Sequence, residues 1–205
     1  MAATVEATRI LKLGDALPDV TLPAYFPETK TEGTVHIGPS SPKKMWTVLV
    51  FYPADFTFVC PTELADFAEH YSAFQALGAE VIGVSTDTVY THKAWLESEK
   101  LLQNVRFPMA ADHTGQLARL LNIYNEAEGT ALRGTFIIDP EGVLRAQEVT
   151  WYDVGRNAGE TLRLLEAFEY VRTNPGVACP AGWTKGKKAL NPSMEIVGKV
   201  HEALS

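Results

Sequence analysis

The chain has 205 residues, of which 46% are hydrophobic and 21% charged, enough to bury the core of one domain of ordinary size with a tail. A formal charge of -7 at pH 7 excludes nucleic acid as a partner, because sequence-independent phosphate binding needs a basic surface. No apolar run approaches the length of a membrane span, and the opening Met1-Ala2-Ala3-Thr4-Val5-Glu6 lacks the basic start and apolar centre of an export signal, so no membrane contact is expected and the chain reads as cytoplasmic.

Met45 to Tyr52 and Ala79 to Val84 are short apolar runs between breakers and read as buried strands. Between them, Leu64, Phe67, Ala68, Tyr71, Phe74 and Leu77 recur at helical spacing while Glu63, Asp66, Glu69 and His70 take the other face, which predicts a helix from Pro61 that stops at Gly78. Val89 to Leu102 is predicted helical, Phe107 to Ala111 extended and Gln116 to Leu121 a short helix. Thr135 to Asp139 and Leu144 to Val149 alternate around Pro140-Glu141-Gly142 and read as an antiparallel hairpin. A second amphipathic helix is predicted over Ala158 to Arg172, and Asn174-Pro175-Gly176 ends regular structure. The pattern gives an α/β fold with a mixed central sheet, divided into a domain over residues 1–173 and a C-terminal arm over 174–205.

Cys60 and Cys179 are the only cysteines, and each is followed by proline. Pro61 suits the first helical position, which makes Cys60 the predicted N-cap. The N-terminus of a helix carries unpaired N–H groups and a partial positive charge, both of which favour a thiolate over a thiol. On its own, Cys60 reads equally well as a small buried hydrophobe. A reactive role gains weight from the helix start and from Thr57 three residues earlier. Glu63 stands where a Cys-x-x-Cys motif would need its second thiol, so no local disulfide can form.

The stretch Pro53-x-x-x-Thr57-x-x-Cys60 resembles the active-site signature of peroxiredoxins, thiol peroxidases on a thioredoxin-like fold. The resemblance continues through Gly83-Val84-Ser85-Thr86-Asp87, His92-Lys93-Ala94-Trp95, Arg133-Gly134-Thr135-Phe136-Ile137-Ile138-Asp139, Gly155-Arg156-Asn157 and Val177-Ala178-Cys179-Pro180-Ala181-Gly182-Trp183. It is similar to the typical two-cysteine subfamily, and the His-Lys-Ala-Trp stretch to the peroxidase component of bacterial alkyl hydroperoxide reductases. The implied function is reduction of hydrogen peroxide and small organic hydroperoxides through a Cys60 sulfenate and an intersubunit disulfide to Cys179. A redox relay or a ring-forming holdase is the alternative, separable by whether client protection survives Cys60→Ser.

What the resemblance implies for each residue stands beside a plainer reading. Arg133 is expected at the thiolate, where its guanidinium would meet sulfur and peroxide oxygens, although its spacing alone fits a surface ion pair. Thr57 is expected to hold the peroxide, and otherwise forms an ST-turn ahead of the helix. Pro53 is expected to cover the thiolate, and otherwise ends a strand. Glu63 would oppose thiolate formation unless neutralised, and the resemblance implies a network with Arg133 and Arg156; a glutamate at the third helical position is also a common helix-start choice. Cys179 is implied as the resolving thiol, and otherwise is an unpaired structural one. For the bridge to close, the first turn of the Pro61 helix and the Cys179 arm are expected to unfold locally.

No phosphate-binding glycine loop is present, and His36, His70, His92, His113 and His201 show no metal-ligand spacing and read as scattered surface residues, so neither cofactor nor metal is expected. Reducing equivalents must then come from a protein, a flavoprotein reductase or a thioredoxin. The resemblance further implies a homodimer assembling to a decameric ring. Trp95 and Trp183 are expected as core and docking residues. The Gly-Gly-Leu-Gly insertion and terminal Tyr-Phe pair of easily overoxidised peroxiredoxins have no counterpart in Leu101 to Phe107 or Val200 to Ser205, which predicts an enzyme that resists inactivation by peroxide.

Overall fold

The computed structural model describes residues 10–205, and these divide into two compact units, one running to Ala158 and the other spanning Gly159–Ser205. The first unit is built on a seven-stranded mixed sheet. Its strands are β1 Val20–Phe26, β2 Thr31–Ile37, β3 Trp46–Phe51, β4 Ala79–Ser85, β5 Met109–Ala111, β8 Arg133–Ile138 and β9 Leu144–Thr150, in the spatial order β2-β1-β5-β4-β3-β8-β9. A separate two-stranded ribbon joins β6 Tyr124–Asn125 to β7 Thr130–Ala131.

The centre of the sheet follows from a crossover. Helix α1, Cys60–Ala76, connects β3 to the parallel β4, whose Val81 lies opposite Val48 and Val84 opposite Phe51. Strands that pair in parallel at the middle of a sheet are buried on both faces, which is why β3 and β4 read as continuous apolar runs. On the other side of β3, antiparallel β8 places Gly134 opposite Phe51. The rings of Phe51 and Phe136 meet edge to face at 5.9 Å, inside a core that also holds Leu49, Val84, Ala110 and Ile138.

The expected hairpin is present, with β8 and β9 turning around Pro140-Glu141-Gly142. Helix α2 is shorter than predicted, Val89–Ser98, because Glu99 adopts an extended backbone and its side chain instead caps a single 3-10 turn, Lys100–Leu102. Helix α3, Gln116–Leu120, falls where expected. The β1–β2 hairpin at the sheet edge carries little apolar alternation in β2, whose first four residues are exposed, and sequence patterning does not single it out.

Helix α4, Ala158–Thr173, leads the second unit, which continues through a segment with one 3-10 turn, Met194–Ile196, to the five-residue helix α5, Val200–Leu204. Ala178 and Leu190 pair through reciprocal backbone hydrogen bonds of 2.9 and 2.8 Å. Trp183 is buried in the loop they close, 4.9 Å from the Tyr170 ring, and its indole donates to the Lys187 carbonyl at 3.0 Å. Among the described residues, no helix is long and apolar enough to cross a membrane.

Candidate active site

Cys60 stands where β3 hands the chain to α1. Tyr52 still pairs with β4, donating its N–H to the Val84 carbonyl at 3.0 Å, and Pro53 then ends the strand. Residues 53–59 make a loop in which Phe56 takes a left-handed conformation, φ 56°, a rare and costly state for a bulky side chain. Within this loop Thr57 donates its hydroxyl hydrogen to the Ala54 carbonyl at 2.8 Å, so the lone pairs of its oxygen remain as acceptors.

The helix begins one residue earlier than the position of proline suggests. Val59 is the N-cap and already has helical backbone angles, with φ -83° and ψ -35°, so Cys60 and Pro61 occupy the first two helical positions and Cys60 is not the cap. Proline fits there because these N–H groups have no intrahelical acceptor. The Val59 carbonyl accepts from Thr62 and Glu63 N–H at 3.0 and 3.2 Å, which fixes the first turn.

Four groups converge behind the helix start. Cys60 is fully buried, and Glu63, Arg133 and Arg156 are buried with it. Arg133, the first residue of β8, donates from Nη1 to Cys60 Sγ at 3.4 Å and to Glu63 Oε2 at 2.6 Å, while its Nε is held by the Tyr152 carbonyl at 2.8 Å. Arg156 donates to Glu63 Oε1 from both backbone N and Nε, at 2.9 and 2.8 Å, and from Nη1 to Thr135 Oγ1 at 3.2 Å. Gly155 precedes Arg156 in close quarters, where a Cβ would fall 3.2 Å from Val59 Cγ1.

Electrostatics follow the same contacts. Burial alone would raise the Glu63 carboxyl, but hydrogen bonds and charge from Arg156, with the charge of Arg133, outweigh it and hold the group below its ordinary value. Burial opposes the charge on Arg133, yet donation to Cys60 and the neighbouring Glu63 carboxylate overcome that penalty and raise its pKa. Glu63 is therefore neutralised from two sides and serves to orient the guanidinium at the sulfur.

A second buried network, which sequence patterning does not reveal, fixes the loop from outside. Tyr52 donates its hydroxyl to Asp55 Oδ1 at 2.7 Å, and His92 Nδ1 lies 2.8 Å from Asp55 Oδ2. The other ring nitrogen of His92 is 3.2 Å from the Ala110 carbonyl and must carry a proton, since a carbonyl can only accept. The Asp55 N–H bonds to Asp87 Oδ2, itself held by Ser85 Oγ at 2.8 Å. His92 is completely buried, contrary to its reading as a surface histidine. Its spacing of three from Trp95, which is also buried, is the available signal.

Cys179 lies in the second unit, partly exposed, with Sγ 3.8 Å from the Ala167 carbonyl. Burial pushes its thiol up, against the lowering effect of the Arg163 charge. Both cysteines are free thiols in this structure.

Comparison with known proteins gives the family to which the chain belongs. A sequence model of the AhpC/TSA family matches residues 13–147, and one described as the C-terminal domain of 1-Cys peroxiredoxin matches residues 167–200. The chain belongs to the AhpC/TSA family of peroxiredoxins. It is 49% identical over 155 residues to alkyl hydroperoxide reductase C of Escherichia coli K12, covering 76% of this chain and 83% of that protein. The same-named protein of Ferdinandcohnia aciditolerans is 46% identical over 166 residues, 81% of this chain and 99% of its own length. Among solved structures, AhpC of Enterococcus faecalis superposes with a TM-score of 0.75 at 39% identity over 82% of this chain and 98% of that one. The reduced 2-Cys peroxiredoxin of Plasmodium vivax gives 0.82 at 31% identity over 89% and 94%. The fold is thus the thioredoxin-like fold of peroxiredoxins, and this family member is a thiol-dependent peroxidase.

Proposed function

We propose that this peroxidase reduces hydrogen peroxide and small organic hydroperoxides at Cys60, with Cys179 as the resolving thiol. The contact that carries the reading is Arg133 Nη1 on Cys60 Sγ, because a donor on the sulfur also faces any oxygen that the sulfur attacks. Sulfur takes one peroxide oxygen as the O–O bond breaks, and the bonding pair leaves on the second oxygen as hydroxide or alkoxide, which Arg133 stabilises until it gains a proton. Thr57, its own hydrogen committed to Ala54, accepts the O–H of the incoming peroxide and so orients it. Pro53 limits the water around the sulfur.

The Cys60 sulfenate is then attacked by the Cys179 thiolate of a second copy, expelling hydroxide that leaves as water and forming an intersubunit disulfide. A protein dithiol or flavoprotein disulfide reductase restores the two thiols. Assembly beyond the dimer into a decameric ring, and residence in the cytoplasm, complete the proposal. An exposed outer edge on β9, flanked by exposed Val149 and Trp151, supports pairing between copies.

Stopped-flow mixing with peroxide tests the assignment. Cys60→Ser is expected to react no faster than a control protein, whereas Cys179→Ser forms one sulfenate per chain and no bridge. Peroxide turnover by Cys60→Ser would remove Cys60 from the mechanism.

A further inference from the structure

The loop between the paired residues Ala178 and Leu190 carries Cys179 at one end and Lys185, Lys187 and Lys188 at its far side. Its shape is fixed from within the second unit: the Ala178–Leu190 backbone pair closes it, Trp183 Nε1 bonds the Lys187 carbonyl, and Arg163 Nη1 donates to the Trp183 carbonyl at 3.1 Å. With both cysteines free, the three lysines and Cys179 are thereby held on one ordered loop.

The charge of this loop runs against that of the chain. The whole sequence carries -7, yet no acidic residue occurs between Glu169 and Glu195, and the three lysines are the only charged residues from Cys179 to Leu190. All three are exposed. Lys187 and Lys188 also border a recess of about 290 Å³ that Pro180, Ala181, Gly182, Trp183 and Leu204 complete. Three exposed cations on the same loop as a redox thiol of an acidic protein select for a partner of opposite sign, because complementary potentials raise association rates and suppress wrong partners.

We propose that Lys185, Lys187 and Lys188 form the docking surface for an acidic dithiol protein that reduces the Cys60–Cys179 disulfide. The inference rests on the resolving role given to Cys179 above. Once docked, a partner thiolate attacks Cys179 Sγ, the disulfide between the two copies breaks, and Cys60 leaves as a thiolate. The partner's second thiol gives up its proton to solvent and attacks the partner sulfur of the mixed disulfide. Cys179 then leaves as a thiolate and takes a proton. Two electrons pass from the dithiol to the disulfide, and the partner departs oxidised.

The test measures reduction of the peroxide-oxidised full chain by a purified thioredoxin of acidic surface, and in parallel by dithiothreitol, at low salt and at 1 M salt. The triple variant Lys185→Glu, Lys187→Glu, Lys188→Glu is expected to lose at least about tenfold in the second-order rate with thioredoxin at low salt. The neutral triple variant to glutamine falls between it and wild type, and the differences shrink at 1 M salt, where the screening length is about 3 Å. Rates with dithiothreitol stay unchanged. Equal rates for wild type and the glutamate variant with thioredoxin, or an equal loss towards dithiothreitol, would overturn the docking surface. Non-reducing gels taken before reductant is added read bridge formation separately: its absence in wild type would overturn the resolving role of Cys179 and the docking proposal with it, whereas its presence confines any failure to docking.

Discussion

Arg156 binds a single oxygen of Glu63 twice, through its backbone N–H at 2.9 Å and its Nε at 2.8 Å. The other oxygen is left to Arg133, whose Nη1 it accepts at 2.6 Å. One carboxylate thus converts the position of residue 156 into the aim of the guanidinium at Cys60.

Replacing the Arg156 side chain keeps its backbone N–H on Glu63 but removes one of the two guanidinium charges that compensate this buried carboxylate. Breaking a buried ion pair from one side costs about 3–5 kcal/mol. Arg156→Ala is therefore expected to lower unfolding free energy by that order in urea titration and to slow peroxide attack. Unchanged stability would show that Glu63 is satisfied elsewhere.

The lowered carboxyl of Glu63 sets a pH dependence. A folded-state pKa below the unfolded one contributes stability that is fully present above the ordinary glutamate value of 4.5 and is lost as pH falls through the lowered folded value. Glu63→Gln is expected to be less stable than wild type at neutral pH, with the difference narrowing on acidification below that value. Parallel stability curves across the acid range would contradict this sign.

In the proposed reaction Arg133, which contacts the sulfur, also faces the leaving oxygen, so its loss falls on the chemical step. Arg133→Ala is expected to slow Cys60 oxidation by roughly two to three orders of magnitude, in line with removing one transition-state donor. Arg133→Lys recovers only part of this, because a point charge cannot serve Sγ, Glu63 and the Tyr152 carbonyl together. An alanine variant with a near-normal rate in stopped-flow fluorescence would take Arg133 out of the reaction.

Tyr52→Phe deletes one donor to a buried carboxylate while keeping the ring packed 5.8 Å from Trp95. An unsatisfied buried acceptor costs about 1–3 kcal/mol. Thermal unfolding of this variant, read beside its peroxide rate, is expected to show that loss of stability together with slower attack, since Asp55 anchors the loop that carries Thr57. Loss of stability with a wild-type rate would confine the network to folding.

The loop after α2 bears on overoxidation. Lys100–Leu102 forms one 3-10 turn with no glycine insertion before Phe107, so arm closure is expected to outpace a second peroxide at high micromolar to low millimolar concentrations. Mass spectrometry after turnover should find Cys60 mainly as disulfide. A population dominated by sulfinate would refute this.

The helix bearing Cys60 is legible in the sequence because apolar spacing and Pro61 are local signals, and the central strands because burial on both faces leaves unbroken apolar runs. The position of the cap is not, since the helical conformation of Val59 leaves no mark in residue type. Arg133 and Arg156 reach Glu63 across 70 and 93 residues, a convergence that spacing alone does not encode and that only the family resemblance supplies. His92 escapes a sequence reading for a related reason: one residue of a helix says nothing of Asp55, its partner 37 residues away.

Cys60 has no solvent exposure, and a covalent bond to a thiol on another copy requires its sulfur to come out. The bonds that resist are Thr62 and Glu63 N–H and the Thr62 hydroxyl on the Val59 carbonyl, the Arg133 contact, and the grip of Arg133 and Arg156 on Glu63. On the proposed intersubunit bridge, catalytic turnover is metered by the melting of a single helical turn. Any substitution or bound compound that firms residues 59–63 would act as an inhibitor without touching the sulfur, and would leave the enzyme exposed to its own substrate for longer in each cycle.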